Sequence, residues 1–408
     1  MGAPFARTGG EAMKKSLRLL ASFALGCSLA AALPAQATEY TLFDLGSLTP
    51  GYRMWATGIN DLGQVVGYSY ADGSSGQSDS NLYNAFVTGA NGTGLTALGT
   101  LGGSWSRAFG INNAGQVVGD SQTASGSFRA FIGTAGGPLT DIGTLAGSTN
   151  STATAINASG QVVGIASGSN PNGSDPRGFV SGPNGSNLQA LGSLNGQALF
   201  GRDINDSGQV VGGTSPFNLG NSFVTGPNAA SPGPVFDDTS SANAINNRGQ
   251  VAGTWGPDFY ANDAFIGTPG GTETHLDFHG VDGYEYGNLG GFGQYGPISR
   301  SQAFALNESG QVAGTFNNGR VARYYGFISG ADGQGVVSLD SLFPLADGDY
   351  FINATGVNNL GQFIANSERG HAYLISPIPE PVTLALWTGG LLLIGWRARP
   401  SSNPRETS

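Results

Sequence analysis

Residues Ile59 to Gly67 read INDLGQVVG, and this figure decides the fold because it returns six more times. It recurs as INNAGQVVG from Ile111, INASGQVVG from Ile156, INDSGQVVG from Ile204, INNRGQVAG from Ile245, LNESGQVAG from Leu306 and, altered, VNNLGQFIA from Val357. The steps between copies are 52, 45, 48, 41, 61 and 51 residues, so the chain is a repeat array before it is anything else. Within one copy the chemistry is that of a tight β-hairpin. Asn60 has a short amide that bonds the backbone ahead of it, and Gly63 stands where the turn needs a left-handed residue. Gln64-Val65-Val66 then alternates as a half-buried strand does. A calcium-loop reading fails because the carboxylate spacing of an EF-hand is absent.

Composition narrows the classes. Charged residues make up 11% of the chain and Gly numbers 69, so solubility rests on small polar groups and turns. Thr38 to Ser376 holds ten arginines, no lysine and 24 acidic residues, a formal balance of −14. That field argues against nucleic acid and anionic membrane surfaces as partners. The single cysteine, Cys27, lies upstream, so the body has no disulfide framework.

Four short strands per repeat fit the remaining sequence. In the second repeat they are Ala108–Ile111, Gln116–Gly119, Arg129–Ile132 and Leu139–Leu145. First strands carry small residues at alternate positions, such as Ala56 and Gly58 or Ala303 and Ala305, as strands crowded around an axis require; the fourth repeat departs with Gly201 and Asp203. Four strands per 40 to 50 residues is the period of a propeller blade. The last repeat lacks a fourth strand after His371–Ile375, while Tyr40–Leu48 supplies one before any first strand. The expected fold is therefore all-β: a seven-bladed β-propeller closed by pairing of the N-terminal strand with the last blade, plus a C-terminal apolar helix. A linear solenoid is the alternative.

The expected domains are a signal peptide over 1–37 with the true start at Met13, the seven-repeat body over 38–376, a Pro-rich linker over 377–381, an apolar transmembrane segment over 382–396 and a basic, polar tail over 397–408. Lipidation at Cys27 is the alternative to plain cleavage after Ala37.

The Leu98–Gly119 stretch, LGTLGGSWSRAFGINNAGQVVG, resembles the extracellular HAF repeat, with the name-giving His replaced by Asn84 and Arg129 before their Ala-Phe pairs. Pro379-Glu380-Pro381, an uncharged run over 382–396 and a basic end with Arg397 and Arg399 resemble a PEP-CTERM sorting signal of Gram-negative bacteria. That resemblance implies an exosortase and a signal peptidase as processing partners, exopolysaccharide as an associated material, and membrane insertion through 382–396, transient or permanent. The implied location is export across the inner membrane to the cell surface or extracellular matrix, with membrane anchoring before processing.

Chemistry is thin in the inventory. His275 and His279 would lie ~13 Å apart in a strand, too far for one metal. No nucleophile elbow or P-loop is present. The sequence therefore calls for no catalytic residue, no metal and no cofactor. The expected ligand face is formed by the loops that lead into the first strands, with Arg53, Trp55, Trp105, Arg107, Arg202 and Arg300. The function expected first is a non-enzymatic surface or matrix protein that binds exopolysaccharide or a surface partner. The alternative is a secreted carbohydrate-active hydrolase or lyase on a propeller scaffold; a ligand-free spacer comes third.

Overall fold

The structure, a computed structural model, describes residues 39–70, 82–168, 176–215, 221–236, 240–258, 261–278, 281, 300–317 and 323–378. The chain divides into a unit of Met1–Tyr40 with Ile378–Ser408 and a unit of Thr41–Pro377. In the first, Ile378 N–H donates to Glu39 O at 2.7 Å.

Each copy of the repeat figure is the hairpin its residues dictate. Gly63 N–H donates to Asn60 O at 3.0 Å, and Gly63 has φ +69°, which a side chain resists. Asn60 Oδ1 accepts from Leu62 N–H at 3.1 Å and Gln64 N–H at 3.0 Å, so one side chain fixes the turn. The strands that follow pair antiparallel with a third strand, and there a Phe of the third strand lies opposite a Gly: Gly67 and Phe86, Gly119 and Phe131, Gly164 and Phe179. These rings are fully buried. Hydrophobic cores form between successive repeats, as where Val66, Val87 and Leu98 of the first pack on Ala108, Val117 and Phe131 of the second.

The sheets form a propeller-like arrangement, and the expected count is corrected. Five sheets stand as separate four-stranded blades, one sheet has eight strands, and a two-stranded ribbon joins Ser193–Leu194 to Gln197–Ala198. The eight-stranded sheet merges the fifth and sixth repeats, because Ala261–Gly267 and Arg300–Leu306 meet in a parallel pair at Asn262 and Arg300. A count of repeats cannot see a hydrogen-bonded pair between repeats, so seven equal, separate blades were expected where the sheets do not form them. In one of the four-stranded sheets, Tyr40–Asp44 lies beside Ala372–Pro377. Within this unit Leu45 N–H donates to Ala372 O at 3.0 Å, and Thr41 Oγ1 donates to Ser376 O at 3.2 Å.

The expected C-terminal apolar helix is also corrected: among the described residues no helix is long and apolar enough to cross a membrane. The segment 382–396, the sorting motif Pro379-Glu380-Pro381, Arg397 and Arg399 lie outside the described residues, as does the signal segment 1–37. The anchored stage is corrected with it, since it required such a helix.

Candidate functional site

The innermost strand of every repeat carries a β-bulge at the same place, between Ala56 and Gly58, Ala108 and Gly110, Ala153 and Ala155, Gly201 and Asp203, Ala242 and Ala244, Ala303 and Ala305, and Ala354 and Gly356. A bulge leaves one residue unpaired and re-aims its side chain. The unpaired residues are Thr57, Phe109, Thr154, Arg202, Asn243, Phe304 and Thr355, and all seven line an axial cavity of about 210 Å³. Four of them latch one innermost strand to the next: Thr57 Oγ1 donates to Ala108 O at 2.8 Å, Thr154 Oγ1 to Gly201 O at 3.1 Å, Asn243 Nδ2 to Ala303 O at 2.7 Å and Thr355 Oγ1 to Ala56 O at 2.8 Å. Phe109, Arg202 and Phe304 make no such bond to the backbone ahead. These three exemptions are where ligand contacts can be built without unlatching a strand.

The fourth repeat places two charged side chains on this lining. Arg202 Nη1 donates to Ser241 Oγ at 2.7 Å and to Asn243 Oδ1. Burial pulls its guanidinium below the ordinary arginine range, and among the described residues no carboxylate pairs with it. An uncompensated, largely buried cation costs stability, which is the mark of a group kept for binding. Asp203 stands where the other repeats have Gly or Ala. Its Oδ1 accepts from Ile204 N–H at 2.8 Å and its Oδ2 from Ile245 N–H at 2.9 Å. Burial pushes the Asp203 carboxyl up to about 6, against those two N–H groups, which favour its charge.

The raised Asp203 carboxyl predicts a pH signature. The native state binds the proton more tightly than the unfolded chain, so this group lowers stability at neutral pH, and the penalty is relieved as pH falls from 6 toward 3.8. The melting temperature of Asp203→Asn minus that of the native chain should therefore shrink as pH is lowered through this window. A difference that stays flat there would refute the assignment.

Of the six arginine and tryptophan residues expected to form one ligand face, only Arg202 lines the axial cavity. Trp105 and Arg107 come together elsewhere: the guanidinium lies 5.3 Å from the Trp105 ring centre and 5.2 Å from that of Phe109, and pairs with buried Asp120 at 2.7 Å. Trp105 packs on Phe128 at 4.9 Å. Arg53 and Trp55 lead into the first repeat, Arg53 O accepting from Tyr70 N–H at 3.0 Å and Trp55 sitting opposite Tyr68. Arg300 Nη1 donates to Tyr324 OH at 3.3 Å. The reading of the loops missed Asp203 and Asn243 as site residues, although the break in the small-residue pattern at Asp203 was the signal for them.

His275 Nδ1 lies 3.8 Å from Asp263 Oδ2 and its Nε2 3.7 Å from Glu273 Oε1, with Trp255 edge-on at 5.1 Å. Among the described residues no group of three His, Cys, Asp or Glu side chains is placed to hold a metal ion, and His279 is outside them.

No family model and no curated protein matches the sequence. Solved structures do match the fold. An acylaminoacyl peptidase from Pyrococcus horikoshii is 9% identical with a TM-score of 0.51, over 85% of this chain and 55% of that one. An acylaminoacyl peptidase in complex with Z-Gly-Gly-Phe-chloromethyl ketone is 8% identical with a TM-score of 0.50, over 82% and 54%. Virginiamycin B lyase from Staphylococcus aureus is 9% identical with a TM-score of 0.49, over 83% and all of that chain. This chain thus spans about half the length of the two peptidases. The chain has a β-propeller fold distantly similar to those of the two peptidases. The expectation of a non-enzyme is corrected to this extent: the fold is one that solved peptidases also carry.

Proposed function

We propose that the protein is a carbohydrate-active lyase that takes an acidic sugar ring at the axial mouth. The observation that carries this reading is the unpaired Arg202 beside Asn243 and Asp203 on one cavity lining. Arg202, steadied by Asn243 Oδ1, holds the sugar's carboxylate, and neutralising that charge acidifies the adjacent ring C–H. Asp203, ionised above about 6, takes the proton through the lone pairs its backbone N–H donors leave unused. The C–H electron pair becomes the new ring double bond and the glycosidic oxygen departs with its electrons. Glycoside hydrolysis needs a pair of carboxyl groups, and among the described residues Asp203 is the one acid on this lining, which favours elimination over hydrolysis. The −14 balance of the body is screened within about 8 Å at physiological salt, so local cation geometry governs an anionic ligand.

The resemblance of the C-terminal segment to a PEP-CTERM signal supports exopolysaccharide as the glycan, with exosortase and signal peptidase as processing partners. The test is incubation of the full chain with uronate-rich and neutral polysaccharides, followed by the ultraviolet absorbance of unsaturated sugar ends. Unsaturated product from uronates alone, lost by more than about a hundredfold in Arg202→Ala and Asp203→Asn, is expected. New reducing ends without unsaturation would show a hydrolase, and no product from any glycan would overturn the reading.

A further inference from the structure

A second cavity, of about 410 Å³, adjoins the axial one and is lined by Gln302, Phe304, Thr315, Arg323, Tyr324, Tyr350, Ile352 and Asn353. Phe304 belongs to both linings and so forms their common wall. Its volume lies in the range of small-ligand sites.

The chemistry of the walls is divided. Phe304, Ile352 and Tyr350 offer half-buried apolar faces, and Tyr324 is 37% exposed. Arg323 is exposed, lies 5.1 Å from the Tyr350 ring centre and has no carboxylate partner among the described residues. Thr315 is already spent on Ile352 O at 2.7 Å, and Asn353 Oδ1 accepts from Asn366 at 3.0 Å, whereas the Gln302 amide makes no hydrogen bond within the described chain. Aromatic faces with hydroxyl tips, one unused carboxamide and a guanidinium over a ring suit a pyranose, which has an apolar C–H face and a rim of hydroxyl groups. Burial raises the Tyr350 hydroxyl, and Glu368 and Asp340 push the same way against Arg323, so charges of both signs already stand around the groove and it calls for no further charge.

We infer that this groove is the subsite for an uncharged sugar ring next to the acidic one, so that the shortest full ligand is a uronate joined to a neutral hexose. The inference rests on the acidic-glycan reading of the axial cavity and names the neighbouring unit of its substrate.

Calorimetric titration of the full chain with free uronate and with uronate linked to one neutral hexose tests it. The linked disaccharide should bind about tenfold tighter than the free uronate. Arg323→Gln and Tyr350→Ala should each erase that gain while the affinity for free uronate stays unchanged; Arg323 is exposed, so its variant keeps the fold even if Tyr350→Ala does not. No gain with the added hexose, or a gain that survives Arg323→Gln, overturns the subsite. Binding with the expected gain but without unsaturated product sinks the lyase reading alone. Product formation with no gain sinks the subsite alone, and absence of binding by either sugar overturns both.

Discussion

Replacing Asn112 by alanine should lower folding stability by about 3 to 5 kcal/mol, among the largest losses any single substitution in this chain would produce. The residue is 5% exposed and its amide is fully used. Oδ1 accepts from Ala114 N–H at 3.1 Å and Gln116 N–H at 3.0 Å, while Nδ2 donates to Gln116 Oε1 at 2.8 Å and to Asn157 O in the next repeat at 3.0 Å. The last bond is one of a series. Asn60 donates to Asn112 O at 3.0 Å, Asn157 to Asn205 O at 3.0 Å, Asn205 to Asn246 O at 3.2 Å, Asn246 to Asn307 O at 3.0 Å, Asn307 to Asn358 O at 2.8 Å and Asn358 to Asn60 O at 2.9 Å. Alanine therefore undoes one turn and one link between repeats together, and strands buried carbonyl and N–H groups without partners. Equilibrium urea unfolding checks it, with Gln189→Ala as the exposed control expected within about 0.5 kcal/mol. A loss under about 1 kcal/mol at Asn112 would show that these bonds contribute little.

The same asparagine shows where a reading of sequence stops. That Asn60 opens a turn closed by Gly63 was legible, since the chemistry lies within four residues. That its Nδ2 reaches a carbonyl 52 positions away was not, because nothing local specifies the partner. The small-residue alternation of the first strands was legible as crowding, and Gly58 does lie where an added Cβ would come 3.0 Å from Phe109 O. The bulge was not. Without it Arg202 reads as one more loop arginine and Asp203 as an irregular repeat; with it, both fall on the axial lining. Asn195-Gly196, with φ of +51° and +79°, makes the two-residue turn of the extra ribbon, a signal that was in the sequence and went unused. Phe304 and Tyr350 come from different repeats, so their shared groove had no signature in either.

The final glycine of the repeat figure carries the second large prediction. A Cβ on Gly119 would lie 1.9 Å from Arg107 O and 2.8 Å from Ala108 Cα, both on the innermost strand, where no flexible side chain can yield. The same clash recurs at Gly67 with Trp55 O at 1.9 Å, Gly164 with Thr152 O at 2.1 Å, Gly212 with Phe200 O at 1.9 Å, Gly253 with Ser241 O at 2.0 Å and Gly314 with Gln302 O at 2.0 Å. At Gly67, Gly164, Gly212, Gly253 and Gly314 the opposite Phe ring also lies within 3.0 Å of the added Cβ, so the glycine and that Phe are two halves of one packing unit. The seventh repeat supports this account by its exception. It has Ala365 opposite Tyr373, and its hairpin contains a further register shift between Phe351 and Asn353, next to the carbonyl that the other repeats press against glycine. Gly119→Ala should therefore destabilise by about 2 to 4 kcal/mol, since the innermost strand must move and open its bonds to the neighbouring repeats. The reverse change, Ala365→Gly, should cost only about 1 kcal/mol, the backbone-entropy and packing penalty of glycine in a strand. Thermal unfolding of the two variants side by side decides it: equal losses would mean that close strand approach is not what holds glycine at this position.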